Sequence, residues 1–168
     1  MERENKMNIL IIYATRNGSV EAVAKLLKKK LNGKVTLINS AKEEVSDICK
    51  YETVLLGSSI YFGQLQKGIK RFVSMNRPEL LRKNIGIFLM AGEQNLDKLE
   101  SQIINAISPD MYDKSVITSV FGSELKFEKF PLLVRFLLKR KSGRKSNYTD
   151  IDKNRIDEFA TIINDLDG

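Results

Sequence analysis

Short apolar runs alternate with stretches of helical periodicity along the whole chain, and this alternation restricts the fold more than any other feature. Asn8-Ile-Leu-Ile-Ile-Tyr13 is apolar without a break, as in a strand buried on both faces. After a loop at Ala14 to Gly18, Ser19 to Leu31 carries Val20, Val23, Ala24, Leu27 and Leu31 on one stripe, with lysines elsewhere. Asn32-Gly33 ends that helix. Lys34 to Asn39, Val54 to Ser58, Asn84 to Met90 and Val116 to Phe121 supply four more strands. Gln64 to Met75, Asn95 to Ile107 and Thr149 to Leu166 supply helices, the last with a capped start at Thr149-Asp-Ile-Asp152.

Strands that alternate with helices imply a parallel sheet covered on both faces, an α/β doubly wound architecture. Right-handed crossovers reduce the topologies to a few. Five units suit the order 2-1-3-4-5, in which ligands bind above the strand C-termini at the switch between strands 1 and 3. The 168 residues suit one domain, 1–168, and no internal repeat or low-complexity linker divides them.

The composition narrows the chemistry. With no histidine and one cysteine, Ser-His and Cys-His nucleophile pairs are excluded and most zinc sites go with them. Such a chain does demanding chemistry through a cofactor, or does none. Cys49 cannot form an internal disulfide and fits a reducing cytoplasm; its plain reading is a half-buried cysteine at a helix end. Met1 to Lys6 is polar, and Ile9 to Ile12 is too short for a signal core or a membrane span. The expectation is therefore a cytoplasmic protein.

Three loops fall where a ligand would sit. Thr15-Arg16-Asn17-Gly18-Ser19-Val20 joins strand 1 to its helix, where free backbone N–H groups and the helix dipole can hold a phosphate without a lysine. An ordinary capped turn would read the same way. After strand 3 comes Gly57 followed by Ser58-Ser59-Ile60-Tyr61-Phe62-Gly63, whose paired aromatics suit the wall of a flat ring. Their alternative is Phe62 packed inward and Tyr61 on the surface. After strand 4, Met90-Ala91-Gly92-Glu93 offers small residues and backbone N–H groups for a pyrimidine-like edge, or else a plain connection.

These residues resemble the flavodoxin superfamily, and the fold class they imply is flavodoxin-like. Tyr13-Ala-Thr-Arg-Asn-Gly-Ser-Val-Glu21 is similar to its phosphate loop, and Gly57 to Gly63 to its flavin-flanking loop, with Tyr61 in the place of the inner aromatic. The closer resemblance is to the menaquinone-dependent protoporphyrinogen oxidase family. A block from Phe121-Gly122 through a basic aromatic segment to Tyr148-Thr-Asp150 also carries it. The resemblance implies FMN as cofactor and a hydrophobic electron donor. It further implies a quinone or redox partner protein as acceptor. Two positions depart from the pattern. Val20 stands where the phosphate loop often has a hydroxyl, and no aromatic follows strand 4. An electron carrier without its own substrate is the alternative, although such carriers usually present acidic surfaces and this chain is +7. A receiver-type regulatory module would need an aspartate where Ser58 and Ser59 stand.

The charge is local. Lys126 to Lys145 holds eight basic residues and one acidic residue, and the rest of the chain is balanced. This segment forms an insertion at about 124–147, before the last helix. If Pro131 opens a helix, Arg135 and Lys139 share one narrow face. Phe130, Leu133, Val134, Leu137 and Leu138 fill the other, with Leu132 and Phe136 at the margins. Basic ends beside a wide apolar arc suit an anionic membrane surface, on the inner face of the cell membrane, or a partner groove. A core-packed helix with a solvated end competes. Nucleic acid is not expected, since no recognised nucleic-acid motif accompanies the charge.

Overall fold

Burial on both faces explains the first strand, β1 (Asn8–Ala14): every residue from Ile9 to Ala14 is buried. The computed structural model describes residues 6–92, 95–125, 131–142 and 148–167. Chain order continues with α1 (Ser19–Lys30), β2 (Lys34–Asn39), β3 (Thr53–Tyr61), β4 (Gln64–Leu65), α2 (Lys67–Leu80) and β5 (Asn84–Ala91). It ends with α3 (Leu96–Ile107), α4 (Pro109–Lys114), β6 (Ile117–Leu125), α5 (Leu132–Ser142), β7 (Tyr148–Ile151) and α6 (Lys153–Asn164).

The sheet runs β2-β1-β3-β5-β6-β7, with β4 paired to β3. Its first five strands are parallel and reproduce the expected 2-1-3-4-5 order. Two packing layers cover it. Ile69, Phe72, Leu80, Leu99, Ile103, Ile107 and Met111, from α2, α3 and α4, pack one face. Val20, Val23 and Leu27 of α1 join Ile156, Phe159 and Ile163 of α6 on the other. There Phe88 stacks on Phe121 with centroids 5.3 Å apart, and Phe159 meets both edge-on, at 6.1 and 5.2 Å.

Several expectations need correction. The last helix does not start at Thr149. Tyr148–Ile151 is a strand antiparallel to β6, with Leu125 opposite Tyr148 and Gly122 opposite Ile151. The helix begins at Lys153, where the Asp152 side chain accepts the Arg155 N–H at 3.1 Å. The second helix starts at Lys67 and runs past Pro78 to Leu80, because Gln64 and Leu65 pair with β3 instead. Helix α4 has no counterpart in the sequence reading. Cys49 is exposed in a 3-10 turn at Ile48–Lys50.

Helix α5 forms after Pro131, as its sequence suggests. Leu132, Leu133, Phe136 and Leu137 are exposed, at 79, 71, 60 and 46%. Val134 and Arg135 are half-buried, so the apolar side that meets solvent is centred on Leu133 and Phe136. This disfavours the core-packed alternative. Phe130 and the segment's other basic residues at 126, 129, 144 and 145 lie outside the described residues, as do the side chains of Leu138, Lys139 and Lys141. Among the described residues, no helix is long and apolar enough to cross a membrane.

Candidate functional site

The turn from β1 to α1 is built around its own amides. Gly18 occupies the N-cap with φ 89°, a left-handed conformation that glycine adopts without strain. Having no side chain, it makes no cap bond of its own to the first turn of α1. The Thr15 Oγ1 accepts the Gly18 N–H at 2.9 Å and keeps its own hydrogen to donate. Asn17 is buried and organises the rest. Its Oδ1 accepts the Ser19 Oγ at 2.9 Å and the Ser19 N–H at 3.3 Å, and its Nδ2 donates to the Tyr61 hydroxyl at 3.2 Å. The phosphate loop is thus tied to the second loop through one side chain.

That second loop is a hairpin rather than an open connection. Strand β3 extends through Ser58, Ser59 and Ile60 to Tyr61, which pairs with Gln64. Phe62 and Gly63 form its two-residue tip, both with positive φ, 51° and 71°. Positive φ at both central residues defines a type I′ turn, in which asparagine or glycine normally precedes the glycine. Phenylalanine there is strained, and its ring is 52% exposed.

Side chains alternate along β3. Ser58 points to the α2–α3 face, where its Oγ donates to the Ser59 carbonyl and accepts the Gln66 N–H, both at 3.0 Å. Ser59 points to the opposite face, shared with Leu55, Gly57 and Tyr61. Its Oγ is buried and has no hydrogen-bond partner among the described residues. An orphaned hydroxyl is costly to bury, so one at a ligand-binding strand end is best explained by a ligand that satisfies it.

The expected site residues therefore separate by what each can offer. Thr15, Asn17, Gly18 and the α1 amides share one turn, and Tyr61 joins them through Asn17. Ser59 and Phe62 belong to the adjoining hairpin, with Gly63 at its tip. The Ser19 hydroxyl is not available as a donor, because its hydrogen goes to Asn17. Val20 and Ile60 place their side chains in the two cores and offer only backbone. Ser58 holds the hairpin and faces away from the turn. Ala91 pairs with Ile60 inside the sheet, Gly92 and Arg16 are exposed, and Glu93 lies outside the described residues.

Electrostatics beneath the turn are mild. Burial, then the neighbouring Glu21 carboxylate, raise the Tyr13 phenol above its ordinary value. Glu21 is in turn lowered by its 2.7 Å bond to Lys25. No cluster of metal-ligating side chains occurs among the described residues.

Helix-start amides, two neighbouring aromatics and a buried hydroxyl with no partner among the described residues lie at the switch point of a doubly wound sheet, a candidate site for a nucleotide-type cofactor. The flavodoxin domain model matches residues 10–152, so the chain belongs to the flavodoxin domain family. FMN is the cofactor such a domain binds, and electron transfer is its chemistry. A comparison with curated proteins returns no match. Solved structures agree on the fold. A flavodoxin from Megasphaera elsdenii is 16% identical, with 91% of this chain and 98% of that one covered and a TM-score of 0.54. A Streptococcus pneumoniae flavodoxin is 13% identical, with 95% and 99% covered and a TM-score of 0.57. The Flv1 flavodiiron core from Synechocystis gives 16% identity and a TM-score of 0.61, with 97% of this chain covered. This chain spans only 36% of that one, about a third of its length.

Proposed function

We propose that this FMN domain is an oxidoreductase resembling the menaquinone-dependent protoporphyrinogen oxidases, taking electrons from a hydrophobic substrate and delivering them to a quinone at an anionic membrane surface. One observation carries the reading: α5, inside the segment that holds the chain's whole net charge, turns four large apolar side chains to solvent. A carrier that meets only water-soluble partners gains nothing from such a face, whereas lipid-soluble substrates are reached through one.

Bound FMN supplies the two-electron chemistry. The α1 amides and the Thr15 hydroxyl hold its phosphate. Tyr61 and Phe62 flank its ring, and Ser59 donates to it at the strand end. Ala91 and Gly92 offer backbone to the ring's far edge. No aromatic follows β5 in the sequence, so no side chain of that kind competes there with a second flat molecule.

The test uses the full chain loaded with FMN, protoporphyrinogen as donor and a soluble naphthoquinone as acceptor, with and without anionic vesicles. Protoporphyrin fluorescence that grows with quinone and accelerates on vesicles supports the proposal. FMN-loaded protein that produces none refutes it. The family match favours the second reading, an electron carrier with no substrate of its own. That reading expects reduction by a flavodoxin reductase and no dependence on vesicles.

A further inference from the structure

On the sheet face remote from α1, helices α2 and α3 enclose a cavity of about 280 Å³ over β3 and β5. Leu56, Ile87 and Leu89 floor it, and Ile69, Val73 and Ile107 wall it. It is separate from the flavin turn. Of the residues assigned to the loops above, only Ser58 borders it, and that side chain faces this side of the sheet. An apolar cavity of ~150 Å³ accepts one benzene ring. This one has room for two fused rings.

Its mouth is polar and basic. Lys70, Ser74 and Arg77 recur at helical spacing on one side of α2 and all border the opening, facing Asn105 and Ser108 at the end of α3. Arg77 is neutralised by an ion pair with Asp110 and donates to the Ser108 Oγ at 3.2 Å. Among the described residues, no carboxylate pairs with Lys70. Its Nζ donates to the uncharged Gln64 amide oxygen at 2.8 Å. The Ser74 and Asn105 side chains bond to no protein group among those residues and stand ready as donors. Ser108 adds strain: its φ of 88° with ψ of 145° is a region that favours glycine, held by its own Oγ on Asp110 at 2.8 Å. Strain of this kind gathers at ligand-binding positions.

We propose that this cavity binds a small bicyclic aromatic carboxylate, with its rings on the apolar floor and its anionic head on Lys70. Rigid rings lose little freedom on entry, and a carboxylate complements Lys70, whose charge no described carboxylate compensates. The inference does not depend on the proposed oxidase activity.

The probe is 2-naphthoate, titrated into the FMN-loaded full chain and followed through methyl resonances, with neutral 2-naphthalenemethanol as control. Saturable shifts at Ile69, Ile87 and Leu89, and none at the flavin turn, are expected. Lys70→Gln weakens the acid about fivefold and leaves the alcohol unchanged. Ala106→Phe fills the space and abolishes both, and Ser74→Trp does the same from the mouth if the first variant disturbs folding. FMN fluorescence reports the flavin site independently in every case. Absence of saturable shifts at millimolar probe overturns the proposal, as does equal affinity for acid and alcohol.

Discussion

Phe62 offers a direct test of the hairpin at the candidate flavin site. Its φ of 51° places an L side chain in the left-handed region, which costs roughly 1–2 kcal/mol unless the residue is glycine, asparagine or aspartate. Replacing Phe62 alone confuses that cost with loss of the half-buried ring. Two variants separate them. Phe62→Ala removes the ring and keeps the strain. Phe62→Asn removes the ring and creates the Asn-Gly pair that a type I′ turn prefers. The asparagine variant is therefore expected to exceed the alanine variant by about 1 kcal/mol, or about 3 °C in Tm for a chain of this size. Urea unfolding of the FMN-free proteins gives the difference directly, with a common m-value as the check on two-state behaviour. Both variants lose FMN affinity together if the ring flanks the flavin. Equal stability of the two would refute the strained-turn reading. An unchanged FMN affinity would remove Phe62 from the site.

Three further outcomes follow from packing and protonation. Ser59→Ala removes a buried hydroxyl without a partner, so the FMN-free protein gains about 1 kcal/mol while FMN binds about tenfold more weakly; loss of both stability and affinity would contradict a flavin-directed hydroxyl. Gly57→Ala is expected to destabilise by about 1–3 kcal/mol in urea, because a Cβ there lies 2.2 Å from the Phe88 ring, which Phe121 and Phe159 hold in place. Tyr13 has a folded pKa raised above 10.0, chiefly by burial, so its contribution to stability is full below pH 10 and falls as the pH climbs through the raised value. Tyr13→Phe should flatten that alkaline decline, and an identical pH profile would show that the phenol plays no part.

The fold was legible because its signal is long-ranged and repeated. Ile9 to Ile12 and Ile85 to Met90 have burial on both faces as their only sensible fate, and α1 carries its stripe over three turns. Short and competing signals were not. Gln64-Leu65 makes only two residue pairs with β3, too few for any alternation to show. Thr149-Asp-Ile-Asp152 contains two plausible caps, and pairing with β6, a partner distant in sequence, decides between them. The helix expected to end at Met75 runs on to Leu80, because Pro78 near its end forfeits a single hydrogen bond. At the site, residue types were informative and roles less so. Asn17 is visible as a loop residue, but nothing in the sequence says that it reaches Tyr61 44 positions away. Strand alternation could have separated Ser58 from Ser59, given the correct length of β3.

Pairing of β6 with β7 has a consequence for how such a chain could be remodelled. Leu125 lies opposite Tyr148, so the two ends of the basic segment already sit at the distance of neighbouring strands. The entropy of closing that long excursion is borne by the sheet, and a two-residue turn would bridge the same gap. The segment between them is a removable cassette. It can be exchanged, lengthened or deleted by events confined to one hairpin, while the candidate flavin site draws on the ends of β1, β3 and β5. A single domain can in this way acquire or discard a basic, apolar appendage without rebuilding the other edge of its sheet.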